Sequence, residues 1–479
     1  MFKSFKTSCI LALLLATATI TLQATLLQRP KPASPESPRK SLFEFDVVGD
    51  GFVDDTDAIQ RAIDSGLGEI VLPKGVYRIS KPLVVDLDRV GYTSFHGNGV
   101  ARIEMRGPGP AIRIVGTHFK SADPGGYTED VWDRQRMPLI DGIAIVGMHP
   151  EACGIAAIGT MQLTVTRTHI RTVLHGIRLL ENNRNVTIAD SHIYENRGVG
   201  VFYDNVNLHQ SNITNCHISY NAMGGVVSRS GNVRNIHISG CDIESNMSPG
   251  TAPTANVLID CRESPSGTAE VAITGCTIQH NNPSPDSANI RMIGRSSSSG
   301  EEQLVREGNV TITGNVLSDV QVNVHLQDCR GVAITGNTFW QGYAYNLLVE
   351  DCSNVVVGPN NFDRNPRYSY GNTQDANNGL VFRNSADCTL TGLHITNVWR
   401  SPAGLLLEEV ERFNVSNCTI LDCDTGGLLM TNARNTRVSD CLIRDDRAES
   451  EGFSIRVVGG EGNQIIDNLL DKPPVVAEP

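Results

Sequence analysis

A short pattern recurs from about residue 139 to the C-terminus and constrains the fold more than any other feature of the sequence. Each copy contains an apolar residue, two further residues, a small or polar residue, one more residue and a second apolar residue. Clear copies are VTIADSHI (186–193), VAITGCTI (271–278), VAITGNTF (332–339) and TRVSDCLI (436–443). The small or polar residue marks the register of thirteen copies: Ile143, Thr168, Ser191, Cys216, Cys241, Cys276, Asn315, Asn337, Asn360, Leu393, Cys418, Cys441 and Asn468.

The spacing of these marks indicates a solenoid. The shortest steps are 22–25 residues, and the longer steps, up to 39 residues, contain insertions. Alternating apolar residues, frequent Gly and Asn, and the lack of a helical segment between strands disfavour a leucine-rich repeat and favour a right-handed parallel β-helix. We therefore predict an all-β, single-stranded right-handed parallel β-helix of thirteen coils over residues 42–470, with a short N-terminal capping helix and a C-terminal tail at 471–479.

The composition supports a long apolar core and excludes one class of partner. Of the 479 residues, 40% are apolar and 19% are charged. The net charge is −12, which is the wrong sign for the counterion release that drives binding to nucleic acid. We therefore expect no nucleic-acid partner.

The N-terminus has the pattern of an export signal. Lys3 and Lys6 precede the apolar run 9–15 and the small residues 16–18. We assign residues 1–28 to a signal peptide, or to an uncleaved anchor that would be the only membrane contact, and the Pro/Ser-rich residues 29–41 to a linker. The expected location is secreted or periplasmic.

Several of the twelve cysteines occupy the register position of the repeat, where they should stack between neighbouring coils. Cys216 with Cys241 and Cys418 with Cys441 are two such pairs. Side chains that point the same way along a ladder seldom reach the torsion of a disulfide, so we predict buried free thiols.

Residues 45–80 carry the most specific motif of the chain. It contains Gly49-Asp50-Gly51, Asp54-Asp55-Thr56, the helical pairs Ala58-Ile59 and Ala62-Ile63, and Leu72-Pro73-Lys74-Gly75-Val76-Tyr77. This stretch is similar to the N-terminal segment of the pectate-lyase-like superfamily of right-handed β-helix proteins, of the type found in polygalacturonases, rhamnogalacturonases and phage tailspikes. The resemblance implies a cap on the solenoid and a carbohydrate ligand. It names no reaction, because Asn-Thr-Asp, Gly-His-Gly and Arg-Ile-Lys, the polygalacturonase signatures, are absent.

The acidic residues of this motif have a second interpretation. Asp46, Asp50, Gly51, Asp54 and Asp57 fall at positions 1, 5, 6, 9 and 12 of an EF-hand-type calcium loop. Position 3 is a valine, which cannot bind calcium, so cap and turn roles explain the acids better.

Alternation within the strands places three charged residues on one outer face. The last outward positions of three successive coils are Asp204, Arg229 and Asp260. The two carboxylates, roughly 9–10 Å apart at Cα, suit an inverting hydrolase. Because Arg229 would lower the pKa of both acids, Glu195, just before the strand of Asp204, is the reserve general acid. The alternative is a charge ladder on a solvated face.

Other outward and loop residues are candidates for substrate binding. Arg178, Arg291 and His325 occupy the preceding outward position, and Tyr127 and Trp132 lie in the long loop 117–138. Aromatic rings stack on sugars and arginines pair with uronate carboxylates. We expect this loop and the insertions 244–255 and 279–289 to wall the site. Insertion tolerance is the alternative explanation of the loops.

The same outward position becomes apolar further along the chain, at Leu348, Val381, Leu406 and Leu429. An apolar stripe on a sheet surface indicates cover by a loop, by the C-terminal tail or by another subunit. An oligomer contact through this stripe is therefore one expectation. The histidines lack the convergent spacing of a metal centre, and we predict no bound zinc.

Two functional classes remain open. One is an exported enzyme that degrades acidic plant- or algal-type polysaccharide, either as a glycoside hydrolase or as a lyase. A lyase would need an arginine or Lys120 as base, and calcium to acidify the proton next to the carboxylate. The other class is a non-catalytic glycan-binding or structural surface protein, or a relative of uronate epimerases.

Overall fold

The structure is a computed structural model that describes residues 41–120, 123, 125–251, 254–298, 304–365, 373–447 and 451–477. Residues from Leu42 onward form one compact unit. The predicted signal peptide, 1–28, and all of the linker except Ser41 lie outside the described residues. None of the described helices is long and apolar enough to cross a membrane.

Parallel strands dominate the chain, and each coil contributes to three sheets in turn. The first sheet contains β4 (Leu83–Asp86), β6 (Gly109–Val115), β8 (Ala152–Met161), β11 (Ile177–Ala189), β13 (Val201–Thr214), β15 (Val226–Arg229), β18 (Ala255–Asp260), β21 (Ala288–Ile293), β24 (Val320–Gln327), β27 (Gly342–Glu350), β30 (Gly379–Arg383), β33 (Leu405–Glu408), β36 (Gly426–Thr431), β39 (Phe453–Val458) and β42 (Val475–Ala477).

The second sheet follows the first in each coil. It contains the second halves of β11 and β13 together with β2 (Glu69–Val71), β5 (Ser94–Met105), β7 (Leu139–Gly147), β9 (Thr164–Thr166), β16 (Asn232–Ser239), β19 (Thr268–Thr274), β22 (Gly308–Thr313), β25 (Arg330–Thr335), β28 (Ser353–Val357), β31 (Thr389–Thr391), β34 (Asn414–Ser416), β37 (Arg437–Ser439) and β40 (Gln464–Ile466).

The third sheet closes each coil. It contains the second halves of β5 and β7 together with β1 (Asp50–Asp54), β3 (Gly75–Ile79), β10 (His169–Arg171), β12 (His192–Tyr194), β14 (His217–Ser219), β17 (Asp242–Glu244), β20 (Thr277–Gln279), β23 (Val316–Ser318), β26 (Thr338–Phe339), β29 (Asn361–Phe362), β32 (His394–Thr396), β35 (Thr419–Leu421), β38 (Leu442–Arg444) and β41 (Leu469–Leu470). The predicted right-handed parallel β-helix is confirmed.

The short helices lie near the N-terminal end of this unit or in loops. They are α1 (Thr56–Asp64), α2 (Leu87–Val90), two 3₁₀ turns (Leu42–Phe45 and Thr373–Asp375) and a π turn (Val131–Gln135). The predicted apolar face of α1 is buried, with Ile59 and Ile63 packed in the core. Helix α1 thereby covers core residues at the start of the solenoid, as expected of a cap.

The acidic residues around α1 act as turn and cap residues. The Asp54 carboxylate accepts a hydrogen bond from the Thr56 amide (3.0 Å), whereas the buried Asp55 accepts from the amides of Val48 (2.7 Å) and Gly49 (3.1 Å). The carboxylate of Asp50 likewise accepts from the amide of Phe52. These contacts favour the cap interpretation over a calcium loop.

The register marks form a continuous buried ladder between the second and third sheets. The amide of Cys241 donates to Cys276 Sγ (3.4 Å), and the amide of Cys276 donates to Asn315 Oδ1 (2.9 Å). Asn315 and Asn337 continue the ladder through side-chain amides. All eleven described cysteines are free and buried, and burial raises the pKa of Cys261 to about 12.

A second buried ladder runs between the third and first sheets. The side-chain amide of each asparagine donates to the side-chain oxygen of the next one in a series of seven residues: Asn196, Asn221, Asn246, Asn256, Asn289, Asn323 and Asn346. An asparagine amide both donates and accepts, so side-chain hydrogen bonds run from coil to coil along this ladder. This ladder fixes the corner from which the strands of the first sheet begin.

The predicted apolar stripe is covered by the chain itself. Leu348, Val381 and Leu406 are buried, at 7%, 1% and 6% exposure, in a separate apolar cluster on the outside of the first sheet. Val322 belongs to this cluster, and Tyr345 packs against it. Leu429, the fourth residue of the stripe, is only partly buried and packs against this cluster. An oligomer contact through the stripe stays a prediction.

The C-terminal boundary differs from the expectation. Residues Val475–Ala477 form strand β42, which pairs in parallel with β39 at Arg456–Val458. The described part of the predicted tail 471–479 thus extends the first sheet. Open backbone groups at the last coil explain this, because any extended segment can satisfy them.

Replacing Asn289 with alanine is expected to lower the free energy of unfolding by about 2–3 kcal/mol. Asn289 accepts from Asn256 (2.8 Å) and donates to the Ser318 carbonyl (2.9 Å) and to Asn323 (2.7 Å), and all these atoms would lose a buried partner. Urea unfolding followed by circular dichroism measures the effect. The exposed Asn232→Ala, the matched control, should change stability by less than about 0.5 kcal/mol. Equal effects of the two variants would contradict the ladder's role.

Candidate functional site

Three predicted site residues stand side by side on the outer face of the first sheet. Asp204 pairs in register with Arg229, and Arg229 pairs with Asp260, across β13, β15 and β18. The same row continues through Ile293 and Gln327. The predicted common face of these residues is confirmed.

Two adjoining pockets lie along this face, and together we call them the sheet 1 groove. The larger, of about 360 Å³, is lined by Arg229, Asp260, Arg262, Asp286, Arg291 and His325, among others. The smaller, of about 120 Å³, is lined by His175, Val199, Phe202, Met223, Arg229 and Thr254, among others. Arg229 lines both pockets and therefore stands where they meet.

The carboxylate of Asp260 is held by an arginine that the sequence analysis missed. Arg262 donates to it from Nε (2.9 Å), from Nη2 (2.6 Å) and from its backbone amide (3.2 Å). Burial raises the pKa of Asp260, but the hydrogen bonds and charge of Arg262, with a smaller contribution from Arg229, hold the pKa below its ordinary value. Asp260 is therefore ionised at neutral pH and unsuited to donate a proton.

Asp204 has a partner of its own. It forms an ion pair with Arg178 on the preceding strand β11. Arg178 lies two residues before Leu180, which is the residue in register with Asp204. The predicted substrate-binding Arg178 thus neutralises the predicted catalytic Asp204. Each carboxylate therefore has an arginine partner instead of the isolated, apolar surroundings that suit a general acid.

A chain of charged hydrogen bonds crosses the larger pocket from coil to coil. Arg291 Nε donates to His325 Nδ1 (3.2 Å), and His325 Nε2 lies 3.0 Å from a Glu350 oxygen. Arg383 joins Glu350 (3.4 Å) to Glu408 (2.8 Å). Because arginine only donates, His325 accepts at Nδ1 and carries its proton on Nε2, which it donates to Glu350. Both ring nitrogens are engaged, so His325 positions Arg291.

Arg291 is the most enclosed charged group of the groove, with 4% exposure. Besides its bond to His325, it donates to the Asp286 carbonyl (2.7 Å) and lies 3.6 Å from the Asp286 carboxylate. Burial lowers the pKa of Arg291 below its ordinary value, and Asp286 partly opposes this.

The walls of the groove agree with the sequence analysis only in part. The insertion 244–255 contributes Thr251 and Thr254, and the insertion 279–289 contributes Asp286. No residue of the loop 117–138 appears among the described residues that line either pocket. The expectation that this loop walls the groove is wrong.

Tyr127 and Trp132 instead pack within their own region. Tyr127 stacks on His118 (5.9 Å) and under the guanidinium of Arg184 (4.7 Å), and Trp132 meets the edge of Tyr127. Arg184 belongs to the part of β11 that has already turned away from the first sheet. The loop is long enough to reach several faces, and ring contacts, which sequence spacing does not reveal, decide which one it covers.

Glu195 also lies outside the groove. It follows β12 at a corner with φ of +54°, and its carboxylate is 4.0 Å from Arg171 on the third sheet. His175, which was not among the predicted site residues, lines the groove. Its Nδ1 accepts from the Val199 amide (3.1 Å), and burial, assisted by Arg178, lowers the pKa of His175 to about 4.

Two family models match parts of the chain. One described as "Right handed beta helix region" matches residues 131–257, and one described as "Periplasmic copper-binding protein (NosD)" matches residues 264–473. Each covers less than half of the chain. No curated protein matches it.

Solved structures match over most of the chain at low identity. A mutant tailspike protein of E. coli bacteriophage HK620, in complex with a pentasaccharide, is 12% identical, with 89% of this chain and 81% of that chain covered and a TM-score of 0.53. This chain has a right-handed β-helix fold. At this identity the likeness concerns the fold alone.

Two further β-helix structures have lower scores. The A-module of mannuronan C-5 epimerase AlgE4 from Azotobacter vinelandii is 14% identical, with 92% of this chain and 96% of that chain covered and a TM-score of 0.33. PfbA, a surface adhesin of Streptococcus pneumoniae, is 14% identical, with 86% and 93% covered and a TM-score of 0.42.

The description of the second family model raises the question of copper in this β-helix protein. Copper sites use thiolate, thioether or imidazole ligands. Within the described residues, no three His, Cys, Asp or Glu side chains converge as a metal site requires. The described thiols point inward, as Cys329 does in donating to the Gln327 carbonyl. The described side chains do not fit a copper centre.

Replacing Arg262 with glutamine is expected to lower the free energy of unfolding at pH 7 by about 2 kcal/mol, because the buried Asp260 carboxylate loses charged hydrogen bonds. A carboxyl with a lowered folded pKa stabilises the fold above its unfolded pKa of ~3.9 and loses this contribution as the pH falls through the folded value. The difference in the free energy of unfolding between the variant and wild type should therefore become smaller below about pH 4. Urea unfolding at several pH values measures it.

The matched control is Arg444→Gln. Arg444 makes the same kind of contact two residues along, from Nε (3.3 Å) and Nη2 (2.6 Å) to Asp446, but that carboxylate is 68% exposed, against 9% for Asp260. The control should change stability by less than about 0.5 kcal/mol. A loss in R262Q that is independent of pH, or an equal loss in R444Q, would contradict the assignment.

Proposed function

We propose that this chain is an exported carbohydrate-active β-helix protein that binds an acidic polysaccharide in the sheet 1 groove. The observation that carries the proposal is Arg229. Among the described residues, its guanidinium has no hydrogen-bonded or ion-pair partner, although it stands where the two pockets meet. A free guanidinium in a groove is suited to bind a carboxylate through bidentate hydrogen bonds.

The surroundings of Arg229 favour a negatively charged ligand. Arg262 and Arg291 line the larger pocket, and the two acids there, Asp260 and Asp286, already have arginine partners. The whole chain carries a net charge of −12, so a cluster of arginines is a local exception. An acidic ligand would gain charge-assisted hydrogen bonds from the arginines of this pocket.

A sugar chain is the acidic ligand that suits the shape. The groove crosses several coils on an open face, and Phe202 offers a ring in the smaller pocket on which a sugar could stack. The HK620 tailspike, whose fold this chain shares, holds a pentasaccharide. Export is also part of the proposal, because residues 1–28 have the pattern of an export signal.

Hydrolysis by paired carboxylates has little support from the geometry. Asp204 and Asp260 are each neutralised by an arginine, and Glu195 lies elsewhere, so none of the three predicted acids is suited to act as a general acid in the groove. A non-catalytic glycan-binding role requires none. Binding without cleavage is therefore the conclusion that we favour.

Cleavage by β-elimination is the second candidate, and the burial of Arg291 favours it. A lowered pKa brings a guanidinium closer to acting as a base. Arg229 would neutralise the uronate carboxylate, and calcium would add to this if the lyase requires it. In this scheme the base removes the proton next to the carboxylate, and the glycosidic oxygen leaves.

Replacing Arg229 with alanine is expected to weaken binding of oligogalacturonate or oligoalginate by about tenfold, which is the loss of one charge-assisted pair. Calorimetric titration at low salt measures the dissociation constant. Arg437→Ala is the matched control, because Arg437 is an exposed arginine on the second sheet, and it should leave binding within about twofold. If neither acidic glycan binds, or if both variants weaken binding equally, the proposal fails.

A cleavage assay separates the two candidates. The wild-type protein is incubated with pectic, alginate and neutral glycans, with and without calcium, and both reducing ends and the absorbance of unsaturated uronates are read. Unsaturated products that fall by about 10²-fold or more in Arg291→Lys would establish elimination. New reducing ends without absorbance, lost in Asp204→Ala and Asp260→Ala, would restore the hydrolase prediction. Binding with neither product supports the binding role.

A further inference from the structure

A second groove lies on the outer face of the second sheet, and no feature of the sheet 1 groove explains it. Its volume is about 650 Å³, larger than either pocket of the sheet 1 groove. One row of its lining residues is in register across four coils: Thr164, Thr187, Asn212 and His237. A second row lies two residues before the first, at backbone positions of positive φ: Gln162, Asn185, Gln210 and Asn235. We call this the sheet 2 groove.

The sheet 2 groove differs from the sheet 1 groove in charge. Among the described residues that line it there is no Asp, Glu, Lys or Arg. Its polar groups are amides, hydroxyls and one imidazole. A charged ligand would lose its hydration here without gaining an opposite charge in return. A neutral ligand rich in hydroxyl groups needs no opposite charge.

The four polar rungs are bounded on both sides. The residue in register before Thr164 is Leu139, and the residue after His237 is Ala272. The side-chain amide of Asn235 donates to the carboxylate of Glu270 (2.7 Å), and this contact closes one end of the groove. The four polar rungs are therefore separated from the later polar residues of this row, which resume at Thr311.

Two acceptors at the groove lack partners. Gln162 Oε1 and Asn185 Oδ1 are buried and, among the described residues, receive no hydrogen bond. A buried acceptor without a partner costs roughly 1–3 kcal/mol, which a ligand hydroxyl could recover after a small side-chain rotation. The exposed side chain of Met137 stands at the rim and offers an apolar surface to a sugar ring.

We propose that the sheet 2 groove binds a neutral glycan whose chain crosses the coils. Each coil presents one side chain from each row, and the coils repeat every ~4.8 Å, close to the length of one sugar residue in an extended chain. Amide groups donate and accept, as sugar hydroxyls do, so each sugar can be held by a pair of side chains.

This site is independent of the acidic glycan proposed for the sheet 1 groove. The two grooves share coils but not side chains: strand β13 carries Asp204 on the first sheet and Asn212 on the second. Loss of one site therefore leaves the other intact, and the two proposals can fail separately.

The test is calorimetric titration of the full chain with three neutral hexasaccharides, built from β-1,4-linked glucose, mannose and N-acetylglucosamine, with oligogalacturonate as the acidic probe. We expect at least one neutral hexasaccharide to bind. Asn212→Ala and His237→Ala should each weaken that binding about fivefold or more, the loss of one hydrogen bond. Both side chains are exposed and point outward, so both variants should unfold at the wild-type urea concentration.

The matched control is Asn414→Ala. Asn414 occupies the same outward row of the second sheet, several coils beyond the groove, and should leave binding within about twofold. Arg229→Ala should likewise leave neutral binding unchanged while weakening the acidic probe. The proposal is overturned if none of the three neutral glycans binds, if Asn414→Ala weakens binding equally, or if Arg229→Ala abolishes it. If only oligogalacturonate fails to bind, the result contradicts the proposal for the sheet 1 groove and leaves the proposal for the sheet 2 groove intact.

Discussion

Parallel hydrogen bonding between successive coils is the constraint on which the rest of the structure depends. Each strand can satisfy its backbone groups only by pairing in register with the strands of the coils before and after it. Corresponding residues are thereby stacked at one strand spacing. A buried polar residue then needs a partner in the next coil, which is why Asn256, Asn289 and Asn323 form one continuous ladder.

The same constraint arranges the outer faces, where stacking brings charges together. Asp204, Arg229 and Asp260 alternate in sign along one row, and so do Glu350, Arg383 and Glu408 further along it. Like charges at one strand spacing would repel, so alternation stabilises the row. The sheet 1 groove forms where this row meets the two insertions that contribute Thr254 and Asp286. Regular strands place the charged groups, and irregular insertions enclose them.

Two departures from the sequence predictions concern segments outside the repeat. The loop 117–138 was expected at the groove, but contacts of Tyr127 with His118 and Arg184 hold it elsewhere. Arg262 lies two residues after the end of strand β18, so its position in the repeat did not indicate that it would neutralise Asp260.

The sequence by itself determined the fold, the register and the common face of Asp204, Arg229 and Asp260. It could do so because a solenoid repeats one local pattern, and a residue's place in that pattern fixes both its sheet and its side of that sheet. Only the tertiary structure decided which arginine pairs with which acid, which face each long loop covers, and that Arg229 alone of the three is left without a partner among the described residues. Those outcomes depend on contacts between side chains from different coils and loops, whose distances no spacing along the chain encodes.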